Sequence, residues 1–200
     1  MINNLELIKP LLNFENEGDF YMLYIFKRKK DQPEGERDNH QSVRTIRSYC
    51  IKSIEQLEKR YDEVIMMCEM FKARAYIHVQ KQNHRDVSLN MMVALAQRIQ
   101  DGNHEQQNLF DSVVGQLKTL EKRWIVDIDT TDYHAVTELS QFITSLRPEG
   151  VKVESVIPTK NGYHLITKRF DVMEFKKQYP GIDIQKKNPT LLFLPNSLED

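Results

Sequence analysis

Residues 124–184 read WIVDIDTTDYHAVTELSQFITSLRPEGVKVESVIPTKNGYHLITKRFDVMEFKKQYPGIDI, and the fold follows from how this stretch is punctuated. WIVDID is a short strand in which apolar and acidic residues alternate. Asp132 is placed to cap a helix running through Leu146, and Arg147-Pro148-Glu149-Gly150 makes a turn. Val151 to Ile157 is a second strand, Lys160-Asn161-Gly162 a hairpin turn of the Asn-Gly type, and Tyr163 to Lys168 the return strand. Asp171 caps a short helix over Met173 to Tyr179, and Pro180-Gly181 leads into a fourth strand at Ile182-Asp183-Ile184. The order β-α-β-β-α-β predicts a split βαβ, or ferredoxin-like, unit of the kind RNA-recognition modules also use.

Upstream the pattern is that of a second αβ unit. Phe20 to Phe26 is β-rich, KRKKDQPEGERDN (27–39) reads as a solvated loop rather than a binding patch, and Val43 to Ile51 is the next strand. Ser53, three residues before Gln56, is a capping-box candidate for a helix to about Met70, in which Ile54, Leu57, Tyr61, Val64, Ile65 and Cys68 keep helical spacing. Lys72 to Gln80 alternates as a strand. Ala73, Ala75, Ile77 and Val79 form its packed side, and Lys72, Arg74, Tyr76 and His78 form a wet, basic side. Val87 to Ile99 is helical, Asp101 to Gly115 a loop or weak helix, and Met66, Met67, Met91 and Met92 fill core gaps. The expectation is an α+β protein with an N-terminal αβ subdomain (1–120) packed on a ferredoxin-like, RRM-like βαββαβ subdomain (121–200), and a cleft between them.

Composition narrows the function. The chain of 200 residues carries 28 Lys+Arg against 29 Asp+Glu with 40% hydrophobic residues, so a nucleic-acid partner would be held by a local patch rather than by bulk charge. No apolar run reaches the length of about 20 that crosses a bilayer, and MINNLELIKPLL lacks the basic region and cleavage site of a signal peptide. A cytoplasmic protein with no membrane partner is expected. Cys50 and Cys68 are too few for a disulfide scaffold or a four-thiolate zinc site.

The chemistry follows from strand parity. With first and third strands side by side and the fourth flanking the first, Trp124, Val126 and Ile128 point to the helices and Asp127 and Asp129 point away. His164 and Asp183 take the same open face on the third and fourth strands. Three neighbouring carboxylates repel unless a cation lies between them, and oxygen-only donors select Mg²⁺ or Mn²⁺ over zinc. An Asp-x-Asp pair with a third Asp on an adjacent strand suits two-metal phosphoryl transfer. His164, Lys160 and Lys168 are then placed for phosphate oxygens, with Lys168 sharing the parity of His164. Arg74, from the basic side of its strand, is a further candidate for nucleotide or template phosphate.

WIVDID, TKNGYHLI and GIDIQKKNPTLLFLPNSL together resemble the archaeo-eukaryotic primase, or primase-polymerase, family in three ordered motifs: a strand with Asp-x-Asp, a Ser/Thr-x-x-Gly-x-His turn-strand, and a hydrophobic-Asp strand. The resemblance spans roughly Arg123 to Leu198, and the tail resembles the Leu-Pro-Gly-Ser stretch of phage and plasmid members, with Phe193 in place of a basic residue and Asn196 in place of Gly. It implies a minimal catalytic core in which Asp127, Asp129 and Asp183 hold divalent metals and His164 contacts the phosphates of an incoming nucleoside triphosphate. A DNA or RNA template, and a helicase or other replication subunit, are the implied partners. A metal-dependent nuclease and a non-catalytic nucleic-acid-binding accessory protein remain alternatives. Asp111, Ser112 and His104 make a hydrolase triad by composition only, with no Gly-x-Ser-x-Gly elbow.

Overall fold

Asp19 to Arg28 opens the first sheet as β2, a ten-residue strand that runs two residues further toward the basic cluster than the apolar pattern suggests. The computed structural model describes residues 1–32, 43–117 and 122–198, so Glu34, Glu36 and Asp38 of the predicted loop lie outside the described residues. β2 pairs antiparallel with β3 (Val43–Ile51) on one side and with β4 (Arg74–Ile77) on the other. β4 pairs in turn with β10 (Thr190–Leu194), and β10 with β1 (Ile2–Asn3), giving the order β1-β10-β4-β2-β3, with β5 (Gln82–Asn83) on the far end of β2. The second sheet, β7 (Val153–Pro158), β8 (Tyr163–Thr167), β6 (Trp124–Ile128) and β9 (Asp183–Gln185), is ordered β7-β8-β6-β9 and is antiparallel throughout. The protein is thus α+β, with two antiparallel sheets.

Short-range chemistry sets the helices. Ser53 accepts from Gln56 N at the start of α2 (Ile54–Phe71), whose Leu57, Tyr61, Val64 and Cys68 are buried as the helical spacing predicts. Asp132 caps α5 (Tyr133–Ser145) through His134 N, and Asp171 caps α6 (Val172–Gln178) through Glu174 N. α1 (Leu5–Ile8) follows β1, and α3 (His84–Gln100) follows β5. The stretch read as a loop or weak helix contains α4 (Leu109–Gln116), because Leu109, Val113 and Val114 find an apolar partner in Phe20, Met22 and Val87. No described helix is long and apolar enough to cross a membrane.

Packing joins the two sheets. Val126, Ile128 and Leu165 lie under α5 and α6 with Val136, Leu139, Ile143 and Phe175. On the opposite face Ile125, Ile157 and Ile166 belong to the same core as Ile8, Leu11, Val79 and Leu192 of the first sheet and its N-terminal segment.

Three sequence expectations are corrected. Of the alternating 72–80 stretch only Arg74–Ile77 is strand, and it has no wet side, since Arg74 is 2% and Tyr76 4% exposed; β4 is an interior strand covered on both faces, while Lys72 just before it is exposed. The β7–β8 loop is not an Asn-Gly turn of the positive-φ kind, because neither Asn161 nor Gly162 has a positive φ, and four residues, Thr159 to Gly162, connect the strands. Met66 (53%) and Met92 (68%) are exposed rather than core, while Met67 and Met91 pack as expected.

Candidate active site

Asp127 sits at the centre of a row. In register it faces His164 of β8 on one side and Asp183 of β9 on the other, and residues directly opposite in antiparallel strands lie about 5 Å apart at Cα. Asp129, two positions on, keeps the same parity just beyond the end of β6. The predicted acids and histidine therefore share one face of one sheet.

Their side chains differ in environment. His164 is 7% exposed, and its Nδ1 lies 2.9 Å from the Thr190 hydroxyl of β10. Its Nε2 lies 3.4 Å from Asp127 Oδ1. Gln185 Nε2 donates to the other Asp127 oxygen at 3.1 Å. His164 as donor is the main cause that holds the Asp127 carboxyl below the usual carboxylate range. The Arg28 charge and Gln185 add to it and partial burial opposes it. Asp129 and Asp183 are exposed.

The row is met by the first sheet. Arg28, Arg74, Tyr76 and Leu191 join Asp127, Asp129, His164 and the Thr159–Asn161 loop around a polar cavity of about 60 Å³, room for a phosphate group and not for a nucleoside. The Arg28 guanidinium lies over the Tyr76 ring, which stacks in turn on Phe26 at 4.5 Å. Arg74 is held by Asp31 in a bidentate pair of 2.8 and 2.6 Å, with both side chains buried. Its charge is neutralised inside the fold, which is why a strand position read as wet can be interior.

Gly162 explains the spacing of the turn-strand motif. A Cβ there would stand 1.9 Å from Ile128 O and 2.8 Å from Thr130 N, so only glycine lets the loop lie on the backbone that carries Asp129. This contact brings Thr159, Lys160 and Asn161 to the cavity wall. Lys160 also donates to Leu198 O. Lys168 shares the parity of His164 but lies at the other end of the strand row, exposed, 3.9 Å from Glu154 and away from the cavity lining.

The donor set suits a hard cation in chemistry, since the carboxyl groups of Asp127 and Asp129 both line the cavity and leave positions for water and phosphate. Asp183 faces Asp127 from the neighbouring strand without lining the cavity. Among the described residues no group of three or more histidine, cysteine, aspartate or glutamate side chains is gathered closely enough to hold a metal ion. The two Asp127 oxygens face His164 and Gln185, so a cation would enter by displacing at least one of them.

Compared with protein-family models, with curated proteins and with solved structures, the chain matches none.

Sequence reasoning missed Arg28, Gln185 and Thr190. Gln185 was within reach, because it has the parity of Asp183 on the same strand. Arg28 was hidden by the acids that follow it. Thr190 carries no local signal, because its place depends on β10 crossing to the other sheet.

Proposed function

We propose that the protein is a metal-dependent nucleotidyltransferase, making or extending a primer from nucleoside triphosphates on a DNA or RNA template in the cytoplasm. The reading takes the chain as a primase-polymerase-like pair, an N-terminal αβ subdomain (1–120) beside a ferredoxin-like subdomain (121–200) whose last strand, β10, returns to the first sheet. The observation that carries it is the row His164–Asp127–Asp183 across three strands, of which His164 and Asp127 line, together with Arg28, a polar cavity of phosphate size.

Asp127 and Asp129 would hold Mg²⁺ or Mn²⁺, with Asp183 completing the set from β9. A bound ion of this kind lowers the pKa of the attacking hydroxyl and neutralises the departing pyrophosphate. The bond made joins a primer 3′-oxygen to the α-phosphorus, and the bond broken releases pyrophosphate. The protein's own share is positioning and charge. His164 would present a ring nitrogen to a phosphate oxygen, Lys160 and Arg28 would add positive charge around it, and Gly162 keeps the loop that carries Lys160 close to the cavity. Arg74, already matched by Asp31, contributes to the wall rather than supplying unbalanced charge. The cavity takes a phosphate group only, so sugar, base and template would lie outside it, over Asn161 and Asp129. A helicase or another replication subunit would supply the template.

The test is incorporation of labelled nucleoside triphosphate on single-stranded templates with Mn²⁺ or Mg²⁺. Elongated product that depends on the ion is expected, and Asp127→Ala with Asp129→Ala should abolish it while circular dichroism stays native. Activity surviving that double change would end the assignment. Release of nucleotides without incorporation would make the protein a nuclease, and template binding indifferent to the ion would make it an accessory protein.

A further inference from the structure

α3 is apolar on two sides and covered on one. Its inner side, Val87, Met91, Ala94 and Leu95, packs with α4 on Phe20 and Met22 of β2. Its outer side, Leu89, Met92, Val93, Ala96 and Ile99, faces solvent, and the four large residues among these are between 52% and 70% exposed. From Val87 to Gln97 the helix holds no charged residue, and Ser88, Asn90 and Gln97 are its only polar ones. A helix apolar all round is normally covered all round.

The spacing of the outer side is self-complementary. With 3.6 residues per turn, Arg85, Leu89, Met92, Val93, Ala96 and Gln100 fall within about 50° of one line along the helix, evenly spaced about a point between Met92 and Val93. A second α3 laid antiparallel across a two-fold at that point sets Met92 beside Met92 and Val93 beside Val93. Each Leu89 then meets the small Ala96 of the other copy, and each Arg85 meets Gln100. Arg85 is the one charge on the line. The antiparallel arrangement brings it to the carbonyl end of the other helix, where the dipole is negative and Asp101 and Glu105 are exposed. Arg98 at that end is already turned onto Glu105 O and Gln107 O, so two cations do not meet.

The geometry points to a docking surface for a second copy of this chain: the outer side of α3 pairs antiparallel with itself across a two-fold between Met92 and Val93. Isologous contacts of this kind close at the dimer. An anionic membrane is a poorer match, because the charges flanking the stripe, Arg85 and Arg98 against Asp86, Asp101 and Glu105, are two positive and three negative and form no cationic rim. From Arg85 to Gln100 the contact is about 24 Å long and buries on the order of 1,000 Å² over both copies, the lower end of specific interfaces, so the dimer forms reversibly.

Sedimentation equilibrium of the full chain tests this. The average mass should climb from 23.7 kDa toward twice that value with rising concentration, half-associated at about 10–100 µM as so small an interface allows. Met92→Glu sets two carboxylates together at the two-fold and should weaken association at least about tenfold, with native circular dichroism because the side chain is exposed in the single chain. Met173→Glu, on α6 and 81% exposed, should leave it unchanged. Met92→Cys should cross-link to itself under copper–phenanthroline oxidation, and neither Met173→Cys nor the wild-type protein, with its half-buried Cys50 and buried Cys68, should do so. A wild-type mass that stays at 23.7 kDa or passes beyond the dimer, association indifferent to Met92→Glu, or equal cross-linking of the two cysteine variants overturns the proposal. So does a single chain that instead binds phosphatidylserine vesicles through Met92, which would assign the stripe to lipid. Should Met92→Glu fail to fold, the wild-type mass and the two cysteine variants still decide it.

Discussion

His78 lies beside Tyr24 on the face of the first sheet that α4 covers, and burial pushes its pKa down to about 4 while that of Tyr24 is pushed up to about 12. The imidazole is therefore neutral in the folded protein and free to charge in the unfolded chain, whose ordinary value is about 6.5. Between those two values the unfolded state binds more protons, so stability rises with pH across the window and is flat on either side of it for this group. Falling from pH 7 to pH 4.5 should cost about 2 kcal/mol through His78 alone. His78→Gln should remove that part of the slope, read from urea midpoints across the window, and an identical slope in both proteins would refute the assignment. The residue also shows what pattern alone cannot tell. Lys72, Arg74, Tyr76 and His78 share one parity, and alternation gives the parity correctly; whether the polar side meets water depends on α4 and Asp31, which arrive from elsewhere in the chain.

Elements whose ends are set by neighbours in sequence were legible. Ser53, Asp132 and Asp171 each satisfy a backbone N–H two or three residues on, a contact that needs no tertiary information, and all three caps lie where they were read. The parity of Asp127, His164 and Asp183 was legible for the same reason. β10 was harder. Leu191 to Leu194 is a short apolar run between Pro189 and Pro195, the mark of a strand buried on both faces, but nothing local says which sheet takes it. The turn at Thr159–Gly162 was placed correctly and explained wrongly. Its glycine serves close approach to the backbone at Ile128 and Thr130, not a positive φ. Gly162→Ala should therefore destabilise by about 2 kcal/mol or more, since the atoms it meets are backbone and cannot swing aside. Urea unfolding measures this directly, and a change below about 0.5 kcal/mol, the scatter of neutral surface substitutions, would mean the loop relaxes freely.

At the scale of the molecule, the question is whether two sheets make one cooperative unit. Ile125, Ile157 and Ile166 of the second sheet share a core with Ile8, Val79 and Leu192, so separating the sheets exposes apolar surface on both. Polar ties cross the same junction. Asn4, 1% exposed, donates to Pro158 O and Leu191 O, while Gln80 donates to Arg123 O and Lys186 O. Arg123 reaches Leu11 O and Val79 O and pairs with Glu154. These groups leave water on folding, so each must be matched, and they can be matched only in one relative placement of the sheets. Unfolding should accordingly be a single transition. Trp124, the one tryptophan, lies in the second sheet against Phe170 and reports that unit by fluorescence, while far-UV circular dichroism reports both. The two midpoints should coincide in urea. Arg123→Ala takes the close partner from Glu154, which keeps Lys168 at 3.9 Å, and the guanidinium from Leu11 O and Val79 O, and should cost about 2 kcal/mol. Two resolved transitions in the wild-type protein would mean that the shared core does not couple the sheets. The contact of Thr190 with His164 would then be made and broken without global unfolding, and the site would open on its own.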